Sequence, residues 1–184
     1  MRTKTIVLYK SSTGFTKKYA ELIAKELRCA LADYKTIPTK TLSQYDCIIF
    51  GSRAFAGTID GFRKAQKRFQ KYTAAKLILF VTGATPNTEI DTINTFWSQN
   101  LTADELIKIP HFYMQGGLCY EKMALPDKLM MKMAALILKK KKNKTSQDKE
   151  FEQAITHSYD ISSEACIQPL IMYLNTCTDA HLSI

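Results

Sequence analysis

Apolar positions along this chain follow two alternating rhythms. Short unbroken runs at Ile6 to Tyr9, Asp46 to Gly51, Lys76 to Thr82 and Ile109 to Met114 predict buried strands. Ala30 to Ile37 predicts a weaker strand, ended by Pro38. Between the strands the apolar residues recur at helical spacing. Thr16 to Arg28 sets Tyr19, Ala20, Ile23, Ala24 and Leu27 on one face and Lys17, Glu21 and Lys25 on the other. Phe62 to Tyr72 turns Phe62, Ala65, Phe69 and Tyr72 inward, and Thr88 to Asn100 carries Ile90, Ile93, Phe96 and Trp97. Asp127 to Lys142 predicts a very apolar helix with a lysine tail, and Asn143 to Lys149 a flexible loop. Ser162 to Asn175 predicts a last helix, interrupted by Pro169. Strands separated by helices predict an α/β three-layer sandwich, a five-stranded parallel sheet covered on both faces, in one domain over 1–184. Such sheets bind ligands at the carboxyl ends of their strands. The strand exits after Lys10, at Gly51 and at Gly83 should open on that edge.

Composition narrows the class. A chain of 184 residues, 46% hydrophobic and 23% charged, suits one globular domain with a sizeable core. Cys29, Cys47, Cys119, Cys166 and Cys177 are odd in number and form no C-x-x-C pair. That argues against a disulfide or metal framework and for reduced thiols in a cytoplasm. His111, His157 and His181 lack ligand spacing, so no metal is expected. The short charged N-terminus runs straight into the first strand and reads as carrying no signal peptide. The apolar stretch from Met133 to Leu138 is too short to span a bilayer. The net charge of +9 is concentrated in residues 122–149, where nine lysines face only Asp127 and Asp148. A near-neutral domain with one basic segment argues against a nucleic-acid partner. Arg63, Lys64, Lys67 and Arg68 read as a solvated helix face, and Trp97 as helix packing.

Candidate chemistry gathers in the first turn, Ser11-Ser12-Thr13-Gly14-Phe15-Thr16. The hydroxyls of Ser11, Thr13 and Thr16 and the amides from Ser12 to Thr16 can donate to a phosphate, and Gly14 permits a close approach. The turn is neither a G-x-x-x-x-G-K-[ST] nucleotide loop nor a three-glycine dinucleotide fingerprint. Taken alone, an ordinary Ser/Thr helix cap accounts for it as well.

The turn resembles the [ST]-x-T-G-x-T loop that holds the FMN phosphate in flavodoxins. Gly51-Ser52-Arg53-Ala54-Phe55-Ala56-Gly57-Thr58 and Thr82-Gly83-Ala84-Thr85-Pro86-Asn87 are similar to the loops along the two flavin faces. The similarity covers about the first 120 residues and the last helix. It implies a flavodoxin-like fold with strand order 2-1-3-4-5 and a noncovalent FMN. Ser11, Ser12, Thr13, Gly14, Phe15 and Thr16 would surround its phosphate. Ala54, Phe55, Ala56 and Gly57 would line the isoalloxazine, and the backbone of Thr82, Gly83 and Ala84 would meet its pyrimidine end. The chemistry would be the flavin's own, with no catalytic side chain, and Gly57 is the candidate peptide near flavin N5.

Within that family the chain looks most similar to oxygen-independent protoporphyrinogen oxidases of the flavodoxin type. The likeness lies in Gly51 to Gly57, in Gly116-Gly117-Leu118-Cys119-Tyr120, and in a Met- and Lys-rich insert at 121–150. Two departures from ordinary flavodoxins stand out: the chain is basic, and Thr82 to Asp91 contains no aromatic residue. Three function classes stay open. One is an FMN electron carrier working with a redox partner protein. Another is a menaquinone-linked oxidase or quinone-reducing enzyme acting on a quinone or porphyrin. The third is a cofactor-free, partner-binding protein. The insert reads either as a core helix with a solvated lysine end or as a surface for anionic lipid or an acidic partner, through 127–142. The resulting localisation is cytoplasmic, with peripheral contact at the inner face of the membrane.

Overall fold

The computed structural model describes residues 3–141 and 155–179. In chain order the strands are β1 (Thr5–Tyr9), β2 (Ala30–Asp33), β3 (Cys47–Phe55), β4 (Thr58–Ile59), β5 (Lys76–Gly83), β6 (His111–Gln115), β7 (Gly117–Leu118) and β8 (Tyr159–Asp160). The helices are α1 (Phe15–Leu27), α2 (Phe62–Tyr72), α3 (Ile90–Asn100), α4 (Ala103–Lys108), α5 (Leu125–Lys140) and α6 (Gln168–Asp179). The central sheet has the order β2-β1-β3-β5-β6 with every neighbour parallel. Counting those five strands alone, this is the 2-1-3-4-5 order of the flavodoxin-like α/β fold.

Side-chain alternation explains why the middles of the central strands are apolar in succession. Ile6, Leu8, Ile48, Phe50, Leu79 and Val81 face the layer of α2 and α3, where they meet Phe62, Ala65, Phe69 and Trp97. Val7, Ile49, Ile78 and Phe80 face the opposite layer, where Tyr19, Ala20 and Ile23 of α1 and Leu170 and Ile171 of α6 lie. A sheet buried on both faces needs apolar residues at every position. Each such Ile, Leu or Phe contributes roughly 1.5–3 kcal/mol by leaving water. Tyr34, Phe50 and Phe69 pack edge to face, with ring centroids 5.3–6.0 Å apart.

Several expectations are corrected. The third strand does not end at Gly51 but continues to Phe55. A glycine stands within it because Phe80 on β5, its register partner, lays its ring where a Cβ would be. The second strand stops at Asp33, well before Pro38. Tyr72 is exposed rather than inward. Pro169 opens α6 at its second residue instead of interrupting it, since the first turn of a helix needs no donor from proline. Arg63 and Arg68 are not merely solvated. Arg63 donates to Glu105 (2.5 Å) and to the Asn100 carbonyl (2.5 Å), and Arg68 to the carbonyls of Tyr34 (3.1 Å) and Ile37 (2.6 Å). α4, with a Thr102/Glu105 capping box, was not expected. Lys142 and the predicted loop at Asn143 to Lys149 lie outside the described residues.

Candidate functional site

β1 leads into the first turn, and the Lys10 amide donates to the Gly51 carbonyl of β3 (2.9 Å). Within the turn the Ser11 hydroxyl oxygen accepts from the Gly14 amide (3.1 Å). Gly14 takes φ +103° as the residue before α1, a conformation that L side chains resist. No side chain caps α1, so its first-turn amides face the turn, together with the positive end of the helix dipole. Ser12 is exposed, and Ser11, Thr13, Gly14 and Phe15 are half-buried. Thr16 is buried, and its hydroxyl is hydrogen-bonded to that of Thr82 (2.7 Å) at the end of β5. The first and third predicted segments are thus joined directly.

The second segment is a hairpin rather than an open loop. Ala54 and Phe55 close β3 and pair with Ile59 and Thr58 of β4. Ala56 (φ 48°) and Gly57 (φ 75°) form a two-residue turn, the left-handed arrangement that matches strand twist. Asn100, the last residue of α3, pins it. Its Oδ1 accepts from the Ile59 amide (2.9 Å), and its Nδ2 donates to the Gly57 carbonyl (2.8 Å) and the Phe96 carbonyl (2.9 Å).

Beneath the hairpin runs a chain of four charges. Arg53 lies over the Phe55 ring at 4.2 Å and donates to Asp60 (3.2 Å) and Asp127 (2.6 Å). Lys10 pairs with Asp60 from the other side. Burial pushes the Asp60 carboxyl up, but Lys10 and Arg53 together outweigh it and hold the group below the usual range. Asp127 is buried in the first turn of α5, so the insert is docked onto the hairpin.

The third segment, Thr82 to Asn87, is held from β6 and β8. The Gly83 carbonyl accepts from the Gly116 amide (2.7 Å), and the Thr85 amide donates to the Tyr113 hydroxyl (3.1 Å). Tyr159 donates to the Ala84 carbonyl (3.2 Å). Asn87 and Gln115 exchange side-chain-to-amide bonds of 2.8 and 2.9 Å.

The insert leaves and re-enters the fold at one place. β7 and β8 pair antiparallel, the Ile161 amide donates to the Gly116 carbonyl (2.8 Å), and the Tyr120 amide donates to Ser158 (2.9 Å). Between these ends α5 holds five apolar residues in water: Leu125, Leu129, Met133, Leu136 and Ile137 are all more than half exposed. The core-helix reading of α5 is therefore not what the structure adopts. Among the described residues no helix is long and apolar enough to cross a membrane.

The predicted residues Ser11, Ser12, Thr13, Gly14, Phe15, Thr16, Ala54, Phe55, Ala56, Gly57, Thr82, Gly83 and Ala84 all lie at the carboxyl ends of β1, β3 and β5 or in the turns that follow. Sequence reasoning missed Asn100, Asp60, Asp127 and Tyr159. Each reaches the rim from a different element, and nothing in its local sequence marks it. Arg53 lies in the segment Gly51 to Thr58, whose resemblance gave it no role.

The family model described as a flavodoxin domain matches residues 6–146. No curated protein matches the chain. The chain is similar to a WrbA-like flavodoxin from Agrobacterium tumefaciens (20% identity, covering 68% of this chain and 87% of that one, TM-score 0.40). It is also similar to a flavoprotein from Lactobacillus acidophilus solved in complex with FMN (18%, 61% and 92%, TM-score 0.40). A two-electron reduced flavodoxin from Megasphaera elsdenii is a third (16%, 59% and 82%, TM-score 0.41).

Proposed function

The chain belongs to the flavodoxin domain family, and from that premise we propose that it binds FMN noncovalently at the carboxyl edge of its sheet and transfers electrons through it. One observation carries this reading. Three segments far apart in sequence, 11–16, 54–57 and 82–84, follow neighbouring strands at one sheet edge: the Thr16–Thr82 bond joins the first to the third, and Arg53, just before the second, pairs in register with Thr82. The residues fit the group. An uncapped helix start beside the hydroxyls of Ser11, Ser12 and Thr13 suits a phosphate. A hairpin pinned by Asn100 gives a fixed wall for a planar ring, with Gly57 at its tip. The backbone of Thr82 to Ala84 offers amides and carbonyls to a polar ring edge. FMN supplies the redox chemistry when bound, and the chain needs no side-chain acid or base of its own. Its part is to orient the ring and shield it from water.

Titration of the purified protein with FMN tests the reading. Flavin fluorescence should be quenched, the melting temperature should rise, and Thr13→Val should weaken FMN more than riboflavin. No binding at high micromolar FMN would overturn the proposal and leave the cofactor-free, partner-binding class standing.

A second reading is favoured by α5. Its exposed Leu129, Met133, Leu136 and Ile137 accompany Lys128, Lys132, Lys139 and Lys140, the composition of a helix that rests on anionic lipid. On this reading the flavin exchanges electrons with a quinone or porphyrin at a membrane surface. Flotation with phosphatidylglycerol vesicles should carry the intact protein upward and leave a Leu129→Gln/Met133→Gln/Ile137→Gln variant behind. Equal flotation of the two would sink it.

A further inference from the structure

Thr13, Gly14 and Phe15 form one side of a cleft of about 450 Å³, and Leu118, Lys122 and Tyr159 stand on the other. Lys122 closes a short 3₁₀ turn (Tyr120–Lys122) at the start of the insert. Its backbone amide donates to the Cys119 carbonyl (3.2 Å), which fixes the turn, and its ammonium hangs over Gly14. A Cβ placed on Gly14 would be 3.9 Å from Lys122 Nζ.

Three lysines surround the first turn, and they differ in what they are bound to. Lys10 is paired with Asp60. Lys18 donates to the Ser162 hydroxyl (2.7 Å) and lies 3.5 Å from Asp160. Lys122 has no ion pair among the described residues, and Glu121 beside it is turned toward Cys119 and Ser158. The turn itself contributes hydroxyls, amides and a helix dipole, none of which carries a full charge. An unpaired ammonium above a neutral phosphate cradle supplies that charge.

We propose that Lys122 is a phosphate ligand of the flavin site and sets its preference for FMN over unphosphorylated flavin. This rests on the reading of 11–16 as the phosphate site. The insert then contributes to cofactor binding as well as to surface contact. Because the ammonium is exposed, its contribution is screened by salt.

Binding of FMN and riboflavin to the full chain, followed by fluorescence quenching, separates the outcomes. Lys122→Gln should weaken FMN by roughly 5- to 30-fold in low salt and leave riboflavin unchanged, in line with loss of a charge-assisted contact. That FMN deficit should shrink as salt rises from ~0.02 M to ~0.5 M. Lys122→Arg should restore FMN binding, and Lys18→Gln, which removes a lysine already engaged, should have the smaller effect. If FMN binds and Lys122→Gln changes nothing, or weakens both flavins alike, the Lys122 assignment is overturned while FMN binding stands. If the unmodified chain binds neither flavin, the cofactor reading itself fails.

Discussion

Replacing Gly51 with alanine puts the packing logic of the sheet to a sharp test. Gly51 sits inside β3 and pairs in register with Phe80 on β5, which is fully buried. A Cβ at Gly51 would meet three carbons of the Phe80 ring, the farthest only 2.6 Å away. Two effects compete. Glycine within a strand is entropically costly, so alanine should stabilise by roughly 0.5–1 kcal/mol if space allowed. Overfilling a packed core costs about 1–3 kcal/mol. The ring is fully buried in a packed core, so the clash should win, with a net loss of about 1–2 kcal/mol. For a domain of this size that lowers the melting temperature by roughly 3–6 °C. Urea titrations of the unmodified chain, Gly51→Ala, Phe80→Leu and the double variant complete a cycle. Phe80→Leu removes the ring tip and should itself cost ~1 kcal/mol or more. In that background Gly51→Ala should add no further loss, a coupling of at least ~1 kcal/mol. A neutral or stabilising Gly51→Ala, or one that retains its full cost beside Phe80→Leu, would refute the reasoning.

Two further outcomes follow from charge and hydrogen bonding. Arg63 hydrogen-bonds the Glu105 carboxylate, with help from the Thr102 amide and Gln66, and burial opposes them; the result is a pKa held down to about 2 from an ordinary 4.5. A folded-state value below the unfolded one means stability that is present above the unfolded value and lost as pH falls from about 5 to about 2. Glu105→Gln should therefore be destabilised at about pH 7, and the gap to the unmodified chain should narrow by about pH 3; an unchanged gap in urea midpoints would contradict this. Asn100→Ala leaves the Ile59 amide and the Gly57 carbonyl without their partner, costing roughly 1–2 kcal/mol. Amide exchange at Ile59 should quicken and FMN affinity should fall, whereas unchanged exchange would show that the hairpin is held by something else.

What could be read from the sequence was whatever local periodicity encodes. The central residues of β1, β3 and β5 (Ile6–Leu8, Cys47–Phe50 and Leu77–Val81) are apolar in succession because both sheet faces are covered, and α2 was expected with its observed limits at Phe62 and Tyr72. Gly51 misled, because a glycine at the end of an apolar run is ordinarily an exit; its cause is the Phe80 ring, 29 residues away in sequence. The Ala56-Gly57 turn escaped notice because alanine is an unusual residue at a position of positive φ. α4 could have been found from Thr102 and Glu105, which form a capping box at its start. Arg53 to Asp127 and β7 to β8 could not, since each joins residues some 40 or more positions apart and no local pattern specifies such a meeting. The rim was thus legible as three turns, but the side chains that brace it were not.

The pairing of β7 with β8 has a consequence beyond holding the insert. The chain departs after Leu118 and returns at Tyr159, and those two residues are register partners, about 5 Å apart as neighbouring strands are. The excursion between them is therefore a closed branch on an otherwise continuous framework. Loop-closure entropy rises slowly with length, so branches of very different size would cost the framework nearly the same. The junction is a natural grafting point for the part of the branch beyond Asp127, because Lys122 and the Asp127 partner of Arg53 belong with the rim and would have to be kept.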